Sequence, residues 1–177
     1  KPAQVTSVIS RLKGVSGRME SIADRLGRLL VIDYAHTPDA LEKALSALRG
    51  HCSGKLWCVF GCGGDRDTGK RAEMAAIAER LADYAVVTSD NPRTEDPLHI
   101  IDDVLKGFAA PEQARVESDR KSAIALALKE AEAGDVVLIA GKGHEDYQEI
   151  NGIRYPFSDS EVIRTLLKSG EQESRDA

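Results

Sequence analysis

From residue 28 onward the chain alternates between two kinds of stretch. Short apolar runs, "LLVIDYA" at 29–35, "KLWCVF" at 55–60, "YAVVTS" at 84–89, "ARVES" at 114–118 and "DVVLIAG" at 135–141, are rich in β-branched residues. Runs without polar alternation suit strands covered on both faces. Between them lie amphipathic stretches at 38–49, 69–82, 97–108 and 121–133, which predict helices. Strand and helix in alternation predict an α/β fold: a doubly wound, mostly parallel, Rossmann-like sheet with right-handed crossovers. "YQEINGIRY" breaks the rhythm and predicts a C-terminal β-hairpin turning at Asn151-Gly152. A last helix is expected over 159–167, after Ser158 as N-cap, and the polar "KSGEQESRDA" is expected to fray.

The beginning of the chain reads differently. "KPAQVTSVISRLK" has helical spacing up to Gly14, and "GVSGRMESIADRLGR" reads as loop and hairpin turning near Gly27. A lone helix and loop cannot bury a face by themselves. Residues 1–20 therefore read as tail and linker of a preceding domain, 21–168 as one Rossmann-like domain and 169–177 as a frayed tail.

Composition narrows the function classes. The chain has 177 residues, 42% of them hydrophobic, enough for a real core. Lys plus Arg number 24 against 29 Asp plus Glu, so the net charge of -5 gives no global attraction to nucleic acid or an anionic membrane. Any anion site must be local. No apolar run approaches the ~18 residues of a membrane span, and the start lacks a signal-peptide profile. Three Cys without a disulfide framework point to a reducing cytoplasm. His51, Cys52, Cys58 and Cys62 raise the question of zinc, but they match no paired C-x-x-C pattern and Cys58 lies in a strand-like run. They read as small buried hydrophobes, and no metal site is expected.

In an open parallel sheet, ligands bind beyond the carboxyl ends of the strands, so the loops after strands carry the candidate chemistry. "GCGGDRDTGKR" at 61–71 almost spells the phosphate-binding G-x-x-x-x-G-K-[ST]. Arg71 stands where the magnesium-holding hydroxyl belongs, and Asp65 and Asp67 lie where phosphates would sit, so another anion is expected. Its glycines read as opening the backbone to a ligand beside Arg66. In "SDNPRTEDP", Pro92 holds Asn91 extended and presents Arg93. "GKGHED" contributes Gly141 and Gly143 with the carboxylates Glu145 and Asp146. Together, Arg66 and Arg93 offer forks for carboxylates, Asn91 an amide, and Glu145 and Asp146 acceptors for ammonium, the complement of an amino-acid zwitterion. Taken singly, each charge reads equally well as solvated or internally paired. Upstream, "VIDYAHTPDAL" places Asp33 at a strand end, where it can accept from ribose hydroxyls, with Tyr34 or His36 to stack on a base or reach a phosphate. Thr37, Pro38 and Asp39 are equally well explained by helix initiation alone.

"GRME", "DYAHTPDALEKAL", "VFGCGGDRDTGKR", "TSDNPRTEDP" and "LIAGKGHEDYQ", in this order and spacing over residues 17–167, resemble the C-terminal part of the Mur ligases. Asp90-Asn91-Pro92-Arg93 has the form associated with diaminopimelate rather than lysine as the added amino acid. The resemblance implies a three-domain enzyme of peptidoglycan synthesis. ATP activates the terminal carboxylate of UDP-MurNAc-L-Ala-D-Glu as an acyl phosphate, and the amine of meso-diaminopimelate attacks it. The C-terminal domain delivers that amino acid. Carried over by position, Arg66, Asn91, Arg93, Gly141 and Glu145 would hold diaminopimelate, with Asp90 in the same tetrapeptide. Arg18, Asp33 and His36, with Tyr34 beside them, would lie near ADP. The family's G-T-N-G-K-T phosphate loop and its magnesium ligands, including a carbamylated lysine, belong to the central domain, and nothing here matches them. The chain is thus expected to be a C-terminal piece, partnered by N-terminal and central domains, with no catalytic residue of its own and no ligase activity alone. The alternative is a free-standing nucleotide- or phosphate-binding module centred on "GCGGDRDTGKR". A folate-extending ligase of the same superfamily is argued against by "DNPR" and "GKGHED".

Overall fold

The computed structural model describes residues 18–22 and 24–176, with side chains described as far as residue 170. The helix expected within 1–13 and most of the segment 1–20 lie outside the described residues. Six strands make one sheet: β1 (Glu20–Ile22), β2 (Leu29–Asp33), β3 (Leu56–Phe60), β4 (Tyr84–Val87), β5 (Arg115–Val116) and β6 (Val136–Ala140). Their spatial order is β1-β2-β6-β3-β4-β5. Only β1 is antiparallel to its neighbour, forming with β2 the hairpin expected near Gly27, whose φ is +80°.

Connectivity explains the layers. Helices α1 (Pro38–Arg49), α2 (Gly69–Leu81) and α3 (Pro97–Leu105) link β2 to β3, β3 to β4 and β4 to β5, each step moving the same way across the sheet. Helix α4 (Arg120–Glu130) returns to β6, which inserts between β2 and β3. A right-handed crossover that reverses direction must lie on the other face. Leu29, Val31, Cys58 and Leu138 accordingly pack with Leu41, Leu45, Met74 and Ile101. Leu30, Ile32, Trp57 and Ile139 pack with Ile124, Leu128 and Ile163 on the opposite side. Successive residues of one strand serve opposite layers, which is why the strand sequences have no polar beat. Cys58 and Cys62 belong to this core, and burial pushes both thiols up to about 12.

Capping sets the helix starts. Thr37 Oγ1 accepts from Ala40 N (3.3 Å), Asp96 Oδ1 from Leu98 N (2.9 Å) and Asp119 Oδ2 from Ser122 N (2.8 Å), with Pro in the first turn of α1 and α3. The Asp119 cap starts α4 one residue before the expected 121, and its end moves from 133 to Glu130. Helix α3 stops at Leu105 rather than 108 because the chain then crosses α2 closely: a Cβ on Gly107 would lie 2.1 Å from the Ala72 carbonyl oxygen.

The C-terminal hairpin is a separate two-stranded sheet, β7 (Tyr147–Ile150) and β8 (Ile153–Pro156). Asn151 and Gly152 both have positive φ, 51° and 75°, as a two-residue turn matching strand twist requires. Helix α5 (Asp159–Asp176) begins with Ser158 Oγ accepting from Glu161 N (3.4 Å) and runs past the expected end at 167. Loss of apolar residues does not stop it: 168–176 has no proline, and five of its nine residues are Lys, Glu, Gln or Arg, which favour helix and offset Gly170. Among the described residues no helix is long and apolar enough to cross a membrane.

Candidate functional site

Insertion of β6 between β2 and β3 brings four strand-end loops to one rim. They surround a depression of about 370 Å3, counted out into the surrounding solvent. The loop after β2 contributes Tyr34 and His36; the one after β3, Gly63, Arg66 and, at the start of α2, Lys70. Asp90, Asn91 and Arg93 come from the loop after β4, and Gly141 and Glu145 from the loop after β6. Arg66, Arg93 and Glu145 thus face a common space.

The segment 61–71 takes its shape from its neighbour. A Cβ on Gly64 would lie 1.9 Å from the Pro92 carbonyl oxygen, so the glycines that were expected to admit a ligand instead admit the loop after β4. Gly64 N donates to Asn91 O (2.9 Å), Asp65 N to Glu95 Oε1 (2.6 Å) and Gly69 N to Asp67 Oδ1 (2.9 Å). Arg71, in the hydroxyl position of the phosphate motif, is 1% exposed and reaches back to Glu95 (2.8 and 2.9 Å) and Asp103 (2.9 Å). The segment is a cross-braced arm that leaves Arg66 at the cavity, its guanidinium donating, among the described residues, to the Asp65 carbonyl at 3.3 Å.

Arg93 is held by the hairpin. Its N–H donates to Glu149 O (3.0 Å), its carbonyl accepts from Asn151 N (2.7 Å), and its φ of 52° is a left-handed conformation that a side chain adopts at a cost. Its Nη1 donates to Gly64 O (2.8 Å) and its Nε lies 3.8 Å from Glu149 Oε2, leaving part of the fork toward the cavity. Asn91 is more committed than its expected role as a ligand amide suggests. Its Oδ1 accepts from Lys142 Nζ (2.9 Å) and Glu149 N (3.0 Å), and its Nδ2 donates to Glu145 Oε2 (3.0 Å).

A buried charge layer supports these loops. Lys142 is fully buried and donates to Asp90 Oδ1 (3.3 Å), Asn91 Oδ1 and Glu145 Oε2 (3.2 Å). Arg120 and Asp159, both completely buried, form a two-pronged pair at 2.8 Å, and Arg120 also reaches the carbonyls of Ser89 (3.3 Å) and Ala140 (3.0 Å). This pair ties the ends of β4 and β6 together directly beneath Asp90 and Gly141. Gly141 has φ +118°, and a Cβ there would lie 2.9 Å from Asp90 Oδ2.

At the end of β2, the Asp33 carboxylate accepts from Met19 N and Ala35 N, both at 2.8 Å. Two of its acceptor positions are therefore filled by the chain itself, and Asp33 does not line the depression. His36 Nδ1 lies 2.8 Å from the Tyr34 carbonyl; because a carbonyl only accepts, Nδ1 carries the proton and Nε2 is left for a ligand. The Tyr34 ring lies 4.6 Å from His36 and 6.1 Å from His144. Burial, then Glu145 and Asp90, push its hydroxyl above the usual value, while Arg18 opposes them. Arg18 is thus close to Tyr34, though exposed and outside the lining. Lys70 Nζ spans the gap to the His36 carbonyl at 3.0 Å.

Lys142, Arg120, Asp159, Lys70 and Arg71 were not singled out as site residues from sequence. Lys142 sat unremarked between two glycines. Arg120 and Arg71 carried one readable signal: each is a cation in the first turn of a helix, where the macrodipole disfavours it.

Comparison with known proteins gives a consistent picture. Residues 17–143 match the family described as Mur ligase, glutamate ligase domain. A UDP-N-acetylmuramoyl-L-alanyl-D-glutamate--2,6-diaminopimelate ligase of Ectopseudomonas mendocina is 57% identical over 88% of this chain and 32% of its own length. One of the same name from Xanthomonas oryzae pv. oryzae is 57% identical over 94% of this chain and 34% of its own. A solved structure of a ligase with that name superimposes with a TM-score of 0.84 at 48% identity, covering 93% of this chain and 34% of that one. The chain thus spans about a third of the length of the curated relatives it matches. It belongs to the Mur ligases, as a member of their glutamate ligase domain family.

Proposed function

We propose that this domain holds the incoming meso-diaminopimelate in an ATP-dependent ligase that joins it to UDP-MurNAc-L-Ala-D-Glu during peptidoglycan precursor synthesis in the bacterial cytoplasm. The observation that carries this reading is the convergence of Arg66, Arg93 and Glu145 on a single cavity. Guanidinium forks suit carboxylates, and Glu145 Oε1, with no hydrogen bond among the described residues, suits an ammonium together with the Gly141 carbonyl. Tyr34 and His36, with Asp33 and Arg18 behind them, would face the ADP. Bound ATP supplies the activation of the acceptor carboxylate, and magnesium supports it. Among the described residues no group of three or more His, Cys, Asp or Glu is disposed to hold a metal, so no step is assigned to magnesium on this domain. The domain's own residues bind and orient the amino acid. The missing domains of the same enzyme would supply the acyl phosphate.

Calorimetric titration of the chain with meso-diaminopimelate, L-lysine and ATP tests this. Saturable heat with diaminopimelate, weaker with lysine and lost in Arg66→Ala, is expected. ATP binding abolished by Arg66→Ala, with no response to diaminopimelate, would favour a phosphate-binding module instead.

A further inference from the structure

We propose that Lys142 is a specificity-determining positioning residue: its buried ammonium fixes Asn91 and Glu145 and sets the charge of the site to admit an ammonium accompanied by a carboxylate rather than a lone ammonium. This rests on the reading of the cavity as an amino-acid site.

Three observations carry it. Lys142 has no exposure to solvent, yet its Nζ has three oxygen partners, Asp90 Oδ1, Asn91 Oδ1 and Glu145 Oε2. Asp90 and Asn91 belong to the loop after β4 and Glu145 to the loop after β6, two strands that are not neighbours in the sheet. Second, Lys142 and the Glu149 N–H together fix which way the Asn91 amide points. With Oδ1 turned to the ammonium and to Glu149 N, Nδ2 is turned to Glu145 Oε2. Both bonds hold Glu145 by the same oxygen, so Oε1 is the atom presented to the cavity. Third, the charges count. Asp90, Glu145 and Asp159 are set against Lys142 and Arg120, and Arg120 interacts electrostatically with all three carboxylates. In this buried cluster three acids stand against two bases, beside the cationic Arg66, Lys70 and Arg93 of the same cavity. Removing Lys142 adds one negative charge to the cluster and weakens the pull of those cations on a ligand carboxylate.

The far end of diaminopimelate bears an ammonium and a carboxylate on one carbon; that of lysine bears an ammonium alone. Removing Lys142 makes the site more negative, which disfavours the first more than the second. General disruption of the loops would weaken both alike.

The test is titration of the chain and its Lys142→Met variant with meso-diaminopimelate and L-lysine. The preference for diaminopimelate should shrink by about tenfold, the scale of one charge-assisted contact. In the Glu145→Gln background Lys142→Met should cost less than it does in the wild type, because part of its effect runs through Glu145, while Arg93→Ala should add to either. In the ligand-free chain, the Asn91 side-chain amide resonances should move in Lys142→Met. A folded variant with unchanged preference, or losses that simply add with Glu145→Gln, overturns the proposal. So does an unmoved Asn91 amide, whatever the ligand. If the wild-type chain fails to take diaminopimelate, the reading under Proposed function falls, and the Asn91 resonances still decide the positioning role. Should Lys142→Met not fold, Lys142→Gln, which keeps a donor for Asn91 but no charge, carries the same comparisons.

Discussion

Arg71→Ser would complete the phosphate-loop pattern from Gly64 to residue 71, yet the structure predicts damage and no nucleotide site. Arg71 is 1% exposed and pairs twice with Glu95 and once with Asp103. Breaking a fully buried pair costs roughly 3–5 kcal/mol when the partner is stranded. Glu95 keeps 26% of its side-chain surface and can rehydrate, and Arg71 Nε, a buried donor without a partner, disappears with the substitution. Both lower the cost, while the void left by the long side chain raises it, so a loss of about 2–3 kcal/mol is expected. For a domain of this size that is roughly a 5–10 °C fall in Tm. Urea unfolding of both forms at pH 7 measures it. Nor should ATP affinity appear, because Gly64, Asp65 and Gly69 N–H groups, which a phosphate cradle needs free, already serve Asn91, Glu95 and Asp67. A variant within about 0.5 kcal/mol of the wild type, or one that gains saturable Mg-ATP binding, would refute the cross-braced arm.

Other consequences can be checked alongside. Arg93→Ala should cut the preference for diaminopimelate over lysine by about 10- to 100-fold in calorimetry, the scale of a lost charge-assisted bond, and full discrimination in the variant would remove Arg93 from the site. Hydrogen bonds from Arg71 foremost, then from Asp65 N, hold the Glu95 carboxyl below its usual range. A depressed carboxylate stabilises the fold above its unfolded value near 4.5 and loses that contribution as pH falls through its folded one. Glu95→Gln should therefore be less stable than wild type at pH 7, with the gap closing below pH 4.5; a pH-independent gap would exclude the ionic contribution. Gly64→Ala, whose Cβ would meet the Pro92 carbonyl, should cost about 1–3 kcal/mol by differential scanning calorimetry and loosen Arg93 through its bond to Gly64 O.

The strands were legible because both layers of the core write on them. Leu30 and Val31 face opposite helices, so neither can be polar, and an unbroken apolar run is the visible result. Helix starts were legible where a side chain satisfies an orphan amide, as Thr37 and Ser158 do. Helix ends were not. Glu130 and Leu105 close their helices because of where the chain must go next, and Gly107 gives way to a carbonyl thirty-five residues away in sequence. The strand order was also silent: nothing local says that β6 returns between β2 and β3.

That order is what makes the cavity, and it explains the uneven legibility of its residues. Arg66 and Glu145 stand out because a charged side chain in a glycine-opened loop has few reasons to be there other than solvent or a ligand, and Arg93 because Pro92 stiffens the turn that presents it. Gly64 stood out for the wrong reason, since a close backbone approach can serve a neighbouring loop as well as a guest. The buried layer stays hidden because its partners are distant in sequence: Lys142 with Asp90, Arg120 with Asp159. A cation in the first turn of a helix is the one local trace such pairs leave. Arg120 opens α4 and Arg71 stands third in α2, where the helix end is positive and each pays a dipole penalty of several tenths of a kcal/mol. Arg71 and Arg120 recover that loss through tertiary carboxylates, where Lys70, beside Arg71 in the same turn, reaches the His36 carbonyl instead, and both carboxylate pairs brace the loops that shape the cavity.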